Sequence, residues 1–505
     1  MISTDNRKWA SIQRLELYVR NLVIFCRQRP LFCLLVTAII LFRLFLPLRN
    51  GAFGPDESLI ALRTQSILKG DSFPLIWGPG NFLFPYGSYS LYFLALIYGM
   101  TGFHLGWSLF IASIVLMSAP FLLAGYIAPK SYPFWTFLLA LTSPVAIHYS
   151  LSGLWSIQFF IPLSALVLYI GRSSSPQKTW KEFLIGLLLG VGIGTHPQIM
   201  PFVAGIFVWR ILVTRRKEAI INLIVGIFIA VLPYLIGLWQ IRNSLHFTLS
   251  SPTYPSEAGI RGFLVFFSSL FRFFGAHPAV HMFPPGGWLY AVEKLLAQLT
   301  IGITISILFV GAYYFWKSGR KHLSIKSPLV PFLLCAAFYL PVAYMTNTGF
   351  QPHNGMALWW FAPLVIPPVI MAVLPKRAAI GALWLLITFN LIIVVIQYTP
   401  HIVNGTQASF AYGQGPSWWA YEEVVSTVCA EVNNQASSQG STIVEMSGDP
   451  WNERIRYILA NLIKLKHPDC AQRVQFIWSD TSPGRVLRVE PDPDKIHLRV
   501  VWVTR

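Results

Sequence analysis

A chain of 505 residues that is 54% hydrophobic and only 11% charged, with a mean hydropathy of +0.56, has too little polar surface to clothe a soluble globule of its size. Its formal charge of +18 invites a nucleic-acid reading. The cations are instead scattered in clusters between apolar runs, with no groove and no aromatic platform among them, so nucleic acid is not expected as a partner. The expectation is a mainly α, polytopic transmembrane helical bundle of about 11–13 spans, because helices satisfy their own backbone in lipid and no barrel-type alternation occurs.

Residues 1–30 carry Arg7, Lys8, Arg14, Arg20, Arg27 and Arg29, which places them in the cytoplasm by the positive-inside rule. The apolar run Leu31–Pro47 follows a leader too long for a signal peptide and meets no small-residue cleavage site, so it reads as a retained anchor. It opens a multi-pass membrane domain over 31–397. Arg43 lies near the far end of this first span, where a charge is a functional candidate that can also snorkel to the surface. Asp56 and Glu57 stand just beyond it, in a first outer loop over 48–84.

From Ser58 to Gly70, Leu59, Ile60, Leu62, Ile67 and Leu68 alternate with Arg63, Gln65 and Lys69, the pattern of an amphipathic helix lying in the interface. A loop with Pro74, Gly78, Pro79 and Gly80 leads to Phe84-Pro85-Tyr86 and a second span, Pro85–Met100. Further spans are expected over Leu105–Ile127, Pro133–His148, Leu154–Ile170, Phe183–Gly194, Ile199–Val213 and Ala219–Gln240. The rest are Leu295–Trp316, Leu329–Tyr344, Ala357–Leu374 and Ala378–Ile396. With single crossings, the clusters Arg215–Lys217, Lys317–Lys326 and Lys376–Arg377 all fall inside, and a second outer loop spans 241–290. Between Asp56 and Arg172, however, four spans leave Arg172 and Lys181 outside, so one of them is miscounted. The region Lys130–His148, as a broken or re-entrant helix, is the expected culprit.

The polar tail, 398–505, reads as a small extracytoplasmic α/β domain. Pro416–Val432 and Asn452–Leu465 are helical by pattern, while Thr442–Met446, Arg473–Trp478 and Ile496–Val503 are strand-like. In an oxidising compartment Cys429 and Cys470 either pair or remain buried thiols. No Cys or His spacing forms a zinc site; no cofactor is expected with certainty, and any need for a divalent metal stays open.

A carboxylate in an outer loop beside an interfacial helix can serve as a general base for reactants arriving from the bilayer. The plainer reading is that Asp56 and Glu57 only begin the helix, where acidic residues contribute about 0.3–1 kcal/mol through its dipole. The order of retained anchor, Asp-Glu, interfacial helix ending in Gly-Asp and Phe-Pro-Tyr resembles the GT-C glycosyltransferases, nearest the protein O-mannosyltransferase and aminoarabinose transferase branch. Leu141-Thr142-Ser143-Pro144 with His148-Tyr149-Ser150, and Trp359-Trp360-Phe361-Ala362-Pro363-Leu364, are similar to later segments of that branch.

The resemblance implies a transferase that moves a sugar from a polyprenyl-phosphate donor to an extracytoplasmic acceptor at the cell membrane, with Asp56 as base and Glu57 in support. Donor phosphate would be met by cations, for which Arg43, Arg63, Lys69, Arg261 and Arg272 are the candidates. Tyr86, His148, Tyr149, His196 and His353 are candidates for the substrate cavity. Two departures stand out: Phe84 precedes Pro85 where aminoarabinose transferases have Lys, and no second acid follows Tyr149-Ser150. A transporter or flippase of lipid-linked sugars, or a non-catalytic subunit, is the alternative.

Overall fold

The computed structural model describes residues 30–50, 55–78, 85–126, 133–144, 146–147, 154, 156–172, 179–242, 327–345, 356–359, 361–404, 418–434, 442–446, 451–477, 485–491 and 498–504, with isolated positions at 27 and between 288 and 313. Among the described residues, three helical stretches are long and apolar enough to cross a membrane alone: Leu105–Ala124, Lys217–Gln240 and Lys376–Ile396. Shorter apolar helices accompany them. On the Lys217–Gln240 helix Ile221, Phe228, Ile229, Leu235 and Trp239 all face outward, which only a lipid environment rewards. The chain is a multi-pass helical membrane protein.

Helix α1 (Pro30–Asn50) is followed by α2 (Pro55–Lys69), the short antiparallel pair β1 (Ile76–Gly78) and β2 (Tyr86–Gly87), and α3 (Tyr89–Thr101). Next come α4 (Leu105–Tyr126), α5 (Pro133–Thr142), α6 (Phe160–Arg172) and α7 (Trp180–Thr195). Gly106 at the start of α4 lies against the Leu48 carbonyl at the end of α1, so the two helices are antiparallel. Helix α5 runs parallel to α1, since Ile39 packs with Leu141 and Arg43 reaches the carbonyls of Ala140 and Leu141. Up, down, up is thus the order of α1, α4 and α5.

The miscounted span is α3. Its first residues follow Gly87, which touches Gly194 at the end of α7, and its last turn leads into His104 and Gly106 beside Leu48. Leu163 near the start of α6 meets Gly192 near the end of α7, and Phe159 just before α6 meets Phe93 of α3, so the end of α7, the start of α6 and both ends of α3 lie on the side where α1 ends. The expected span Pro85–Met100 is therefore corrected to a helix lying along one face. With α3 removed from the count, Arg172 and Lys181 rejoin Arg215–Lys217 on the opposite side.

Helices α8 (Met200–Thr214) and α9 (Lys217–Gln240) complete the central group. Parallel α7 and α9 meet backbone to backbone: there is no room for a Cβ on Gly186 against Leu223, nor on Gly226 against Phe183. Small residues permit such approach between membrane helices. A late group follows: α10 (Leu329–Met345), α11 (Met356–Trp359), α12 (Phe361–Val373) and α13 (Lys376–Asn404). The expected span Ala357–Leu374 is helical over α11 and α12, with residue 360 outside the described residues. Thr136 of α5 donates to the Pro363 carbonyl at 2.8 Å, and Asn390 of α13 approaches Thr142. The expected span Leu295–Trp316 and the loop 241–290 lie largely outside the described residues.

The tail contains α14 (Trp418–Asn434), β3 (Thr442–Met446), α15 (Trp451–Lys466), α16 (Pro468–Ala471), β4 (Val474–Ile477), β5 (Arg485–Pro491) and β6 (Leu498–Thr504). Its four-stranded sheet has the order β4-β3-β5-β6. Strand β3 is parallel to β4 and β5, and β5 is antiparallel to β6. Cys429 and Cys470 form a disulfide joining α14 to α16. Val424, Val425, Val428, Leu459 and Leu462 share one apolar core with Ile60, Ala61 and Ile67 of α2 and with Leu91, Leu94 and Tyr98 of α3. The α/β unit is thus packed onto the first loop.

Candidate active site at the first loop

Asp56 and Glu57 occupy the first turn of α2, where two carboxylates complement the positive end of the helix dipole. The side chain of Asp56 lies outside the described residues. Glu57 is buried, 7% exposed, between α3 and the tail. Burial first, and then the negative charge of Glu57, raise Tyr421 above the ordinary phenol value, which keeps that hydroxyl protonated.

Two hydrogen bonds tie this helix to the tail. Asn461 Nδ2 donates to Ser58 Oγ at 3.0 Å, and Gln65 Nε2 donates to the Leu465 carbonyl at 3.2 Å. A third grips the end of α1, where Trp418 Nε1 donates to the Leu48 carbonyl at 3.1 Å. Unpaired polar groups in such an apolar contact would cost about 1–3 kcal/mol each.

A second cluster forms where β2 meets the turn after α7. Tyr86 stacks on His196 with ring centroids 4.2 Å apart, and Phe160 closes the far edge of the imidazole. His196 is buried and its Nδ1 accepts from the Gln198 amide at 3.3 Å. The turn is locked from several sides. Tyr89 donates to the Ala230 carbonyl at 2.6 Å, Tyr234 to the Pro85 carbonyl at 2.7 Å and Tyr339 to the Gln198 carbonyl at 3.2 Å. Two cavity candidates named from sequence, Tyr86 and His196, are therefore neighbours. Helix α3 links this cluster to the Glu57 cluster: Tyr89 and Tyr98 are separated by about 14 Å of helix.

Among the phosphate candidates, Arg63 and Lys69 are exposed on α2. Arg43 is buried and donates to the Leu141 carbonyl at 3.0 Å, with longer contacts to Ala140 and Ala146. It thus serves carbonyls at and just beyond the end of α5. Arg261, Arg272, His148, Tyr149 and His353 lie outside the described residues. No group of three or more His, Cys, Asp or Glu among the described residues is placed to hold a metal.

Sequence reasoning passed over three participants. Asn461 and Trp418 sit in the tail with no local signal of their partners in the first loop. Arg210 of α8 forms a buried ion pair with Glu182 of α7 and donates to the Gly171 carbonyl of α6 at 2.6 Å. An arginine inside an apolar helix was a legible hint of such a partner.

No protein-family model matches the chain, and no curated protein does. Among solved structures it is similar to ArnT from Cupriavidus metallidurans bound to undecaprenyl phosphate, at 13% identity over 92% of this chain and 93% of that one, with a TM-score of 0.46. The apo state of the same protein matches equally. Likeness of that size speaks to neither activity nor substrate.

Proposed function

We propose that the chain is an integral-membrane glycosyltransferase of GT-C type, moving a sugar from a polyprenyl-phosphate donor to an acceptor on the outer face of the membrane. The observation that supports this reading best is the held first turn of α2. The tail grips it at Ser58 and grips the preceding membrane helix at Leu48, on either side of Asp56 in the chain. A base must be fixed to within fractions of an ångström to be useful.

In this scheme Asp56 takes the proton of the acceptor as its oxygen or nitrogen attacks the anomeric carbon. The bond from that carbon to the lipid phosphate breaks, and the phosphate leaves with the electron pair. Exposed Arg63, two turns along the same face of the helix, supplies positive charge for it, while buried Glu57 supports the turn rather than the substrate. Half-buried Tyr86, backed by the buried His196 ring, offers a flat, amphipathic surface of the kind that sugars pack on.

The test compares wild type with Asp56→Asn at matched membrane levels by mass spectrometry of cell-surface glycans. General-base loss predicts a fall of about 10²–10⁴-fold in one linkage. An unchanged glycan profile sinks the base assignment.

A further inference from the structure

The tail does more to α2 than cover it. Its apolar contact buries Ile60, Ala61 and Ile67, but apolar burial is non-directional and leaves the helix free to slide or roll by fractions of a turn. The polar contacts remove that freedom. Asn461 projects from α15 into the apolar layer and is itself 93% buried, meeting a serine hydroxyl that is 1% exposed. A desolvated polar pair contributes little net affinity and much register.

Position matters more than strength here. Ser58 lies two residues beyond Asp56, inside the same first turn, whereas Gln65 holds the far half of the helix through a main-chain acceptor. A 15-residue helix has marginal stability alone, and its first turn frays most easily. Asn461 therefore acts where α2 is weakest and where the proposed chemistry sits.

We propose that Asn461 is a positioning residue: through Ser58 it fixes the first turn of α2, and with it the backbone at Asp56, in the register that transfer requires. The inference rests on the reading of Asp56 as base. It gives the tail a role in the reaction that does not involve acceptor or glycan binding.

The full-length chain is compared as wild type, Asn461→Ala, Ser58→Ala, Ser58→Thr, the Ala/Ala double variant and Asp56→Asn. Two readouts are taken: the initial rate at which the Asp56-dependent surface linkage appears after induction, and amide hydrogen exchange in detergent. Each single alanine variant is expected to slow the rate about three- to tenfold, the double variant no more than the worse single, and Ser58→Thr, which keeps the hydroxyl, less than twofold. Exchange should rise at residues 57–60 and stay level at 421–432. Should Asn461→Ala fail to accumulate, Ser58→Ala removes the same bond from the other side.

Wild-type rate in both alanine variants, with Asp56→Asn silent, overturns the positioning role and leaves the base reading intact. Activity in Asp56→Asn removes the base reading instead. Unchanged exchange at 57–60 overturns the proposal whatever the rates are.

Discussion

Replacing Cys429 and Cys470 with alanine tests whether the tail depends on its bridge. The cross-link closes a loop of 41 residues, and the chain-entropy relation assigns such a loop about 4 kcal/mol at 25 °C. Both sulfurs are nearly fully buried, so alanine leaves two small voids and no stranded polar atom. With a urea slope of about 1–3 kcal/mol per molar, the unfolding midpoint of the tail should fall by more than about 1 M. The measurement is pulse proteolysis of the detergent-purified chain across a urea series, scored on fragments mapping to 418–504. Alkylation of the denatured chain without reduction should label Cys335 and spare Cys429 and Cys470. Coincident midpoints for the two proteins, or alkylation of Cys429 in denatured wild type, would refute the reasoning.

Two further outcomes concern the membrane bundle. Glu182→Gln strands the buried Arg210 guanidinium and should destabilise the bundle by about 3–5 kcal/mol, read as a loss of folded protein on heating in detergent; Glu182→Leu with Arg210→Met should recover most of it, and equal melting of Glu182→Gln and wild type would discount the pair. Gly186→Val forces a branched side chain against the Leu223 backbone and should separate α7 from α9, lowering thermal stability by at least about 1–3 kcal/mol, whereas full retention would mean that the helices part easily.

The sequence made the helical class and most element positions legible. Thr442–Met446 was read as a strand with its observed bounds, because a β-branched run between polar turns has few other uses. The α3 helix was misread because hydropathy reports what a surface touches, not its direction. Leu91, Leu94 and Tyr98 share one core with α2, with Leu105 and Leu109 at the start of α4, and with the tail. Strand β5 went unnoticed, since Arg485, Arg488 and Glu490 dilute its apolar pattern. Of the site, the acidic pair and the two residues Tyr86 and His196 were legible from local context. Asn461 and Trp418 were not, because nothing local to a residue records a partner hundreds of positions away.

That separation has a temporal consequence. Leu48, Ser58 and Gln65 wait for partners that follow them by 370, 403 and 400 residues, an interval of about 20–80 s at ordinary synthesis rates. The first loop leaves the ribosome early, yet its helix is completed only after the last part of the chain has emerged and folded. Until then α2 is covered by α3 but not by the tail. A newly made chain therefore acquires the α2 clamp as one of its final acts of assembly, so unfinished or truncated copies lack a secured first turn at Asp56.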